Sequence, residues 1–570
     1  MQIVAGAFVV LLSLALGVLA LTLAGLPWAA TVARRKPRLT ILRHSLWWGL
    51  LLVSLVAIAV NQFTRLGSVA AGLTLLAFVI VSGLIGGVAL RRSPSSRSRR
   101  APRSQWLLIA AIAAFMVVLS LRVLGPATNY DTGLYHLGAI QYAEQFAAIP
   151  GLANIYFAYG YATSQFPLAA FLTWSPLGVE GYRALNSLII LIALFDLIVR
   201  FRQRDSSAGK YVLAAGLAVL TFTMLPLADY WVVSPTQDAS VFTVTVVAGA
   251  YLSEALSRRK WVPAAATSVV ISVIAVLLRP TMIAFALTLV IVVVVLAVRR
   301  RATGSSQRLG AAVAVTALIS VAAMLLSAAR DYILSGWWQY PLSMFPFDVP
   351  WRAPDPTQAR LATLGAARDP ANLWEAAESW SWLSAWGSRA MSSWELYAFG
   401  ALAIAAFIGV VLFRPPRVLL AAIAPSAVAT VFWFTLTPPS FRFAWGPLFT
   451  VATIAVGWSL WSRARSSKTM ARDAAIGVSL VLGITVAATL VFRMDVSSVS
   501  EPRVARGLPI AFAVTPITRA EVVEVTLSSG LTALRPADGD QCWAAFPVCS
   551  PQLPERLRLR GDGLQSGFLR

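Results

Sequence analysis

The chain has 570 residues, 58% of them hydrophobic and 12% charged, with a formal net charge of +23 and a mean hydropathy of +0.72. A soluble domain carries about 25% charged residues, so a water-soluble globular fold is excluded. The positive charge does not mark a nucleic-acid partner, because the basic residues are spread in short clusters between hydrophobic runs.

In chain order, apolar runs long enough to cross a hydrocarbon core about 30 Å thick fall near 3–28, 45–62, 67–90, 106–124, 183–200, 211–228, 240–256, 262–278, 281–298, 309–328, 396–413, 417–436, 446–462 and 474–492. Without water to satisfy backbone groups these runs must be helices. The expectation is an all-α polytopic membrane protein of about 14 transmembrane helices. The first run has no basic residue before it and is too long for a secretion signal, so it reads as an uncleaved span. Basic clusters follow every second run: Arg34 to Arg43, Arg91 to Arg103, Arg200 to Lys210, Arg258 to Lys260, Arg299 to Arg308, Arg414 to Arg417 and Arg463 to Arg472. This alternation predicts a cytoplasmic side facing anionic membrane lipid, with both termini extracytoplasmic, in a bacterial plasma membrane.

The predicted organisation is a three-span unit (1–90), a basic disordered cytoplasmic linker (91–105), a membrane core (106–492) and an extracytoplasmic cap (493–570). The core carries outer loops at 125–182, 229–239 and 330–394. Within the first of these, Phe166 to Pro176 is apolar but too short to span, and reads as re-entrant or interfacial. In the cap, Ala520 to Val525 alternates like a strand and Asp538-Gly539-Asp540 reads as a turn. Cys542 and Cys549 are the chain's two cysteines. On the side assigned to them, a disulfide is the expected state.

The fourth span leads into Asn129-Tyr130-Asp131-Thr132-Gly133-Leu134-Tyr135-His136. A carboxylate held just above a bilayer serves as a general base or holds a divalent cation, Mg or Mn. Asp131-Thr132-Gly133 before an apolar helical run is equally a helix cap for residues 133–147, so both readings stand. His136 falls one turn after Thr132 and is paired with Asp131 as catalytic; Tyr135 is counted with the substrate-binding residues. Asp229 and Asp238 share one short turn. Asp238 is the expected second metal or substrate ligand, and Asp229 reads as a cap. Arg279 and Arg442, at outer span ends, suit a phosphate; ordinary headgroup contact is the alternative. Eight tryptophans in the third loop, Trp337 to Trp394, read as an interfacial aromatic belt or as sugar-stacking platforms. Neither a Walker A sequence nor a dinucleotide fingerprint nor zinc spacing is present.

Tyr130 to His136, Ile149-Pro150-Gly151-Leu152-Ala153-Asn154, Ser234-Pro235 with Asp238, and Pro346-Phe347-Asp348-Val349-Pro350 are blocks that carry a family resemblance. So are Arg442-Phe443-Ala444-Trp445-Gly446, Gly539-Asp540-Gln541-Cys542-Trp543, Pro547-Val548-Cys549 and Leu559-Arg560-Gly561. Together they resemble a family of large bacterial membrane proteins without an assigned activity, which in turn looks like the GT-C glycosyltransferases. That resemblance implies a GT-C-like fold, a polyprenyl-phosphate sugar donor, an envelope glycan or lipid acceptor, and an acidic residue in an early outer loop. The competing expectation is a transporter or flippase for a lipid-linked glycan.

Overall fold

The computed structural model describes all residues except 34–35, 95–101, 204–205, 303–308, 468 and 493–495. Most of the low-complexity part of the expected linker, 95–101, lies outside the described residues. Thirteen described helices are long and apolar enough to cross a membrane, which makes the chain a multi-pass membrane protein. They begin with α1 (Gln2–Val32), α2 (Arg38–Phe63), α3 (Val69–Arg91) and α4 (Arg103–Val123). A loop region with two short helices, α5 (Leu137–Gln145) and α6 (Gln165–Phe171), precedes α7 (Leu185–Arg202), α8 (Ala208–Met224) and α9 (Asp238–Ser257). Then come α10 (Val262–Leu278), α11 (Ile283–Ala302) and α12 (Leu309–Ser335). Three short helices, α13 (Thr357–Arg368), α14 (Leu373–Glu378) and α15 (Leu383–Met391), lead into α16 (Trp394–Phe413), α17 (Leu419–Leu436), α18 (Phe441–Ala464) and α19 (Met470–Phe492).

The fourteenth expected span, α10, is helical but only 17 residues long. Arg279 precedes Pro280 and is extended, at φ −146° and ψ 108°. A residue before proline is pushed out of the helical region, which stops the helix there. Phe166 to Pro176 folds as the buried helix α6 and a tight turn, packed beneath the loop region.

Hydrogen bonds define two ends of the bundle. At one, Arg38 at the start of α2 donates to the Arg91 carbonyl, Gln203 after α7 to Thr40, and Arg300 of α11 to the Arg258 carbonyl. This basic end holds a buried ion network: Arg43 of α2 reaches Glu254 of α9 at 2.9 Å, and Arg200 of α7 bonds both Asp196, at 2.7 Å, and Glu254, at 2.8 Å. The Trp47 indole donates to the other Asp196 oxygen at 2.9 Å. The second helix is thereby bonded directly into the core that was expected to begin at 106. Helices α1 and α2 cross through glycines: a Cβ on Gly49 would lie 1.8 Å from the Leu21 carbonyl oxygen. Small residues at such a crossing let two backbones approach. Helix α9 is enclosed on all sides, whereas α16 is peripheral, packed on α18 through residues such as Ala406 and half-buried or exposed elsewhere.

The C-terminal part forms three two-stranded antiparallel sheets. They pair β1 (Glu501–Val504) with β2 (Ala511–Val514), β3 (Val522–Thr526) with β4 (Thr532–Pro536), and β5 (Arg558–Leu559) with β6 (Phe568–Leu569). The strand expected near 520–525 is β3, and Gly539 turns with φ +68°. Cys542 and Cys549 form the expected disulfide.

Candidate functional site

The end opposite the basic one gathers the loops, the sheets and every proposed site residue. The Asp131 segment does not begin as a capped α-helix. Thr132–His136 forms a π-helical turn, which passes into α5 with no side-chain cap from Asp131. Single π turns inside helices are frequent at functional sites. Asp229–Val233 forms a second one. The two are stitched together: the Thr128 amide donates to the Asp229 carbonyl at 3.2 Å, and the Asn129 amide to Ser234 Oγ at 3.0 Å. Asn129 Oδ1 accepts the Asp131 amide at 3.0 Å, so the Asp131 side chain is free to point elsewhere.

It points at Arg442: Asp131 Oδ2 lies 2.9 Å from Arg442 Nη2, in the first turn of α18. The positive end of a helix dipole disfavours an arginine there, and the carboxylate offsets that cost. Asp238, buried in the first turn of α9, bonds Arg279 Nη2 at 2.5 Å and accepts from Thr236 Oγ1 at 2.6 Å. The Phe443 ring joins the two ion pairs, with the Arg279 guanidinium 5.0 Å and that of Arg442 4.7 Å from its centroid. Cation–π attraction makes the ring a partner for both.

His136 is 1% exposed, and among the described residues neither of its ring nitrogens has a hydrogen-bond partner. Its ring packs against Tyr135 and Phe166, with centroids 4.4 and 5.3 Å away. Burial pushes its pKa down to about 4, against the opposing pull of Asp131, so the ring is neutral at pH 7. Burial, reinforced by the Asp131 charge, raises the Tyr135 hydroxyl well above its usual value. The six residues singled out from sequence (Asp131, Tyr135, His136, Asp238, Arg279 and Arg442) therefore belong to one electrostatic cluster.

Arg442 also forms part of the wall of a cavity of about 640 Å³, lined further by Asp229, Tyr230, Trp231, Trp386 and Glu395. Of the eight loop tryptophans, only Trp386 lines it; Trp382 is buried and Trp394 packs edge-on against Trp445. Asp229 faces this cavity but is held by Arg122 at 2.9 Å and by Thr128 at 3.2 Å. Its side chain therefore serves as an ion-pair partner and not as the expected cap.

Asp131 and Asp238, the expected ligands of a divalent cation, are otherwise engaged in this structure. Each carboxylate is already bonded to a guanidinium. Among the described residues, no three His, Cys, Asp or Glu side chains are grouped to hold a metal ion.

What holds the Asp131 turn comes from the far end of the chain, which local sequence does not reveal. Gln541 Nε2 donates to the Tyr130 carbonyl at 2.7 Å, and the Trp543 amide to the Gly133 carbonyl at 2.8 Å. The Tyr130 hydroxyl bonds Asp540, and that of Tyr142 bonds the Pro547 carbonyl. The Trp543 indole lies so close over Gly133 that a Cβ there would sit 2.6 Å from it. The disulfide-closed loop thus grips the turn that carries Asp131, Tyr135 and His136. Two motif blocks quoted together above are in direct contact.

Neither curated proteins nor solved structures give a match to this chain. One family does, described as a domain of unknown function (DUF8201), over residues 7–449. The match starts within α1 and takes in the first three helices together with both halves of the ion-pair cluster. With well over half its length matched, the chain belongs to the DUF8201 family.

Proposed function

We propose that this protein is an integral membrane glycosyltransferase that moves a sugar from a polyprenyl-phosphate donor to an envelope glycan or glycolipid, on the extracytoplasmic side. The observation that carries the reading is the paired arrangement of Asp131 with Arg442 and Asp238 with Arg279, with Arg442 in a cavity wall. Arginine binds phosphate through two parallel hydrogen bonds. A donor phosphate entering the cavity competes with Asp131 for Arg442 and frees the carboxylate. Asp131 then accepts the proton of the acceptor hydroxyl as that oxygen bonds the sugar's anomeric carbon. The bond from that carbon to the phosphate oxygen breaks, and the polyprenyl phosphate leaves with its charge held by Arg442 and Arg279. Neutral His136, with both ring nitrogens unengaged, hydrogen-bonds a sugar hydroxyl or the phosphate. Asp238 keeps Arg279 in place. No metal is required for this sequence of events.

The test is the envelope glycan and lipid-linked sugar profile of a deletion strain complemented at matched membrane levels. Wild type restores the missing sugar. Asp131→Asn, which keeps the shape and removes the base, lowers transfer by about 100-fold or more, and lipid-linked sugar accumulates. Full restoration by Asp131→Asn would move a flippase reading ahead.

A further inference from the structure

Three of the motif blocks play no part in the Asp131 cluster: 149–154, 346–350 and 559–561. One of them gives Pro346 to the lining of a second cavity, of about 570 Å³, which also includes Trp337, Arg352, Asp355, Arg556 and Arg570. Its two walls come from distant parts of the chain and are fastened by one side chain. Asn154, 1% exposed, donates to the Trp351 carbonyl and to the Phe568 carbonyl, both at 3.0 Å. The Phe568 amide adds a bond to the Pro150 carbonyl at 2.9 Å, and the Arg560 guanidinium lies 4.9 Å above the Trp351 ring. The floor is apolar and fixed: Trp337 is buried, its indole N–H bonded to the Ala353 carbonyl at 2.9 Å.

Three exposed arginines, Arg352, Arg556 and Arg570, line this space, and Arg352 Nη1 donates to the Phe347 carbonyl at 3.1 Å. Among the described residues none of the three has a carboxylate partner. The carboxylate in the lining, Asp355, is taken up by Ser343 Oγ at 2.6 Å and the Thr357 amide at 2.8 Å. With Asp355 the one carboxylate among three arginines, the lining keeps an excess of positive charge, and an oxyanion is the group the planar guanidinium forks match. The volume lies in the range of about 300–1,000 Å³ that small-molecule sites occupy, more than a bare inorganic ion needs. The tryptophan and prolines offer the apolar face on which a sugar ring rests. No candidate membrane span lends a residue to the lining, which favours a ligand from the aqueous side over a lipid headgroup.

We infer that this cavity is a binding site for an acidic saccharide, one whose carboxylate or phosphate is held by Arg352, Arg556 and Arg570. The site stands apart from the ion-pair cluster and does not depend on the transferase reading.

The experiment is titration calorimetry on the full chain in neutral detergent, with trigalacturonate as probe and maltotriose as its uncharged counterpart. Trigalacturonate binds and maltotriose does not. Arg352→Ala combined with Arg556→Ala weakens binding about tenfold or more, and Arg556→Glu alone has an effect in the same direction. Arg535→Ala, on exposed β4 outside the cavity, leaves binding unchanged and controls for the high net charge. Binding equal in wild type and the double variant, or no binding in wild type, overturns the inference. So does loss of trigalacturonate binding on adding phosphatidylglycerol micelles, which would assign the arginines to a lipid headgroup.

Discussion

At the scale of single residues, His136 sets a pH dependence that can be measured without knowing the substrate. Its ring titrates near 6.5 when unfolded and at about 4 in the folded chain, because burial opposes the charged form. Between these values the unfolded chain binds the proton and the folded chain does not. Stability is therefore fully present above 6.5 and falls as the pH drops through the window to 4, by about 3 kcal/mol in total. Thermal unfolding across pH 4 to 7 should show this slope, and His136→Phe, placed among the Tyr135 and Phe166 rings, should flatten it. An unchanged slope in the variant would assign the effect to other groups. Asp131 is the complementary case: its role is read from activity, and Asp131→Asn should leave the unfolding midpoint close to wild type while transfer is lost. The asparagine amide oxygen still accepts from Arg442, so the guanidinium keeps a hydrogen-bond partner in the variant.

Elements are held at the basic end by charges rather than by caps. Arg43, Asp196, Arg200 and Glu254 bring α2, α7 and α9 together with side chains that are almost wholly buried. Removing one member of such a network leaves the others charged and unpaired, which costs about 3–5 kcal/mol. Glu254→Gln should lower the thermal midpoint in detergent markedly. Glu254→Gln joined with Arg43→Met, an apolar replacement that removes a buried charge which has lost its Glu254 partner, should recover part of the loss. Counting basic residues predicts the side on which this end lies. The same counting hides the network, because it assigns each arginine to the headgroups. The helices themselves were legible from length and hydropathy, α10 to its last residue, since Pro280 forces the stop. The π turn was not: Asp131-Thr132-Gly133 has the composition of an N-cap, and only contacts from outside the segment decide otherwise.

For the whole molecule, the cap is the part that closes the candidate site. Its disulfide spans a sequence separation of 7, and a loop that short gains about 2–3 kcal/mol from closure. Cys542→Ser with Cys549→Ser should leave the membrane bundle folded and loosen residues 540–549. Limited proteolysis should then cut the tail faster, and hydrogen exchange should rise at Tyr130 and Gly133. Protection unchanged at those two amides would show that Trp543 and Gln541 hold the turn unaided. The six proposed site residues could be chosen from sequence because each is a polar group stranded at a span end. Their grouping could not, because nothing local places 131 beside 442 or 238 beside 279. Nor could the grip of the cap, which joins residues 410 positions apart.

That separation has a consequence for how the protein is made. Asp131 is inserted with the fourth span, while Asp540 and Trp543 are still untranslated. At roughly 5–20 residues per second, the turn waits about 20–80 s before its clamp emerges. During synthesis the Asp131 carboxylate sits on an unfastened loop, and it is set in place only when residues 540–543 of the cap arrive. A nascent chain halted before that point carries all the spans and all six cluster residues, yet lacks the contacts that aim them.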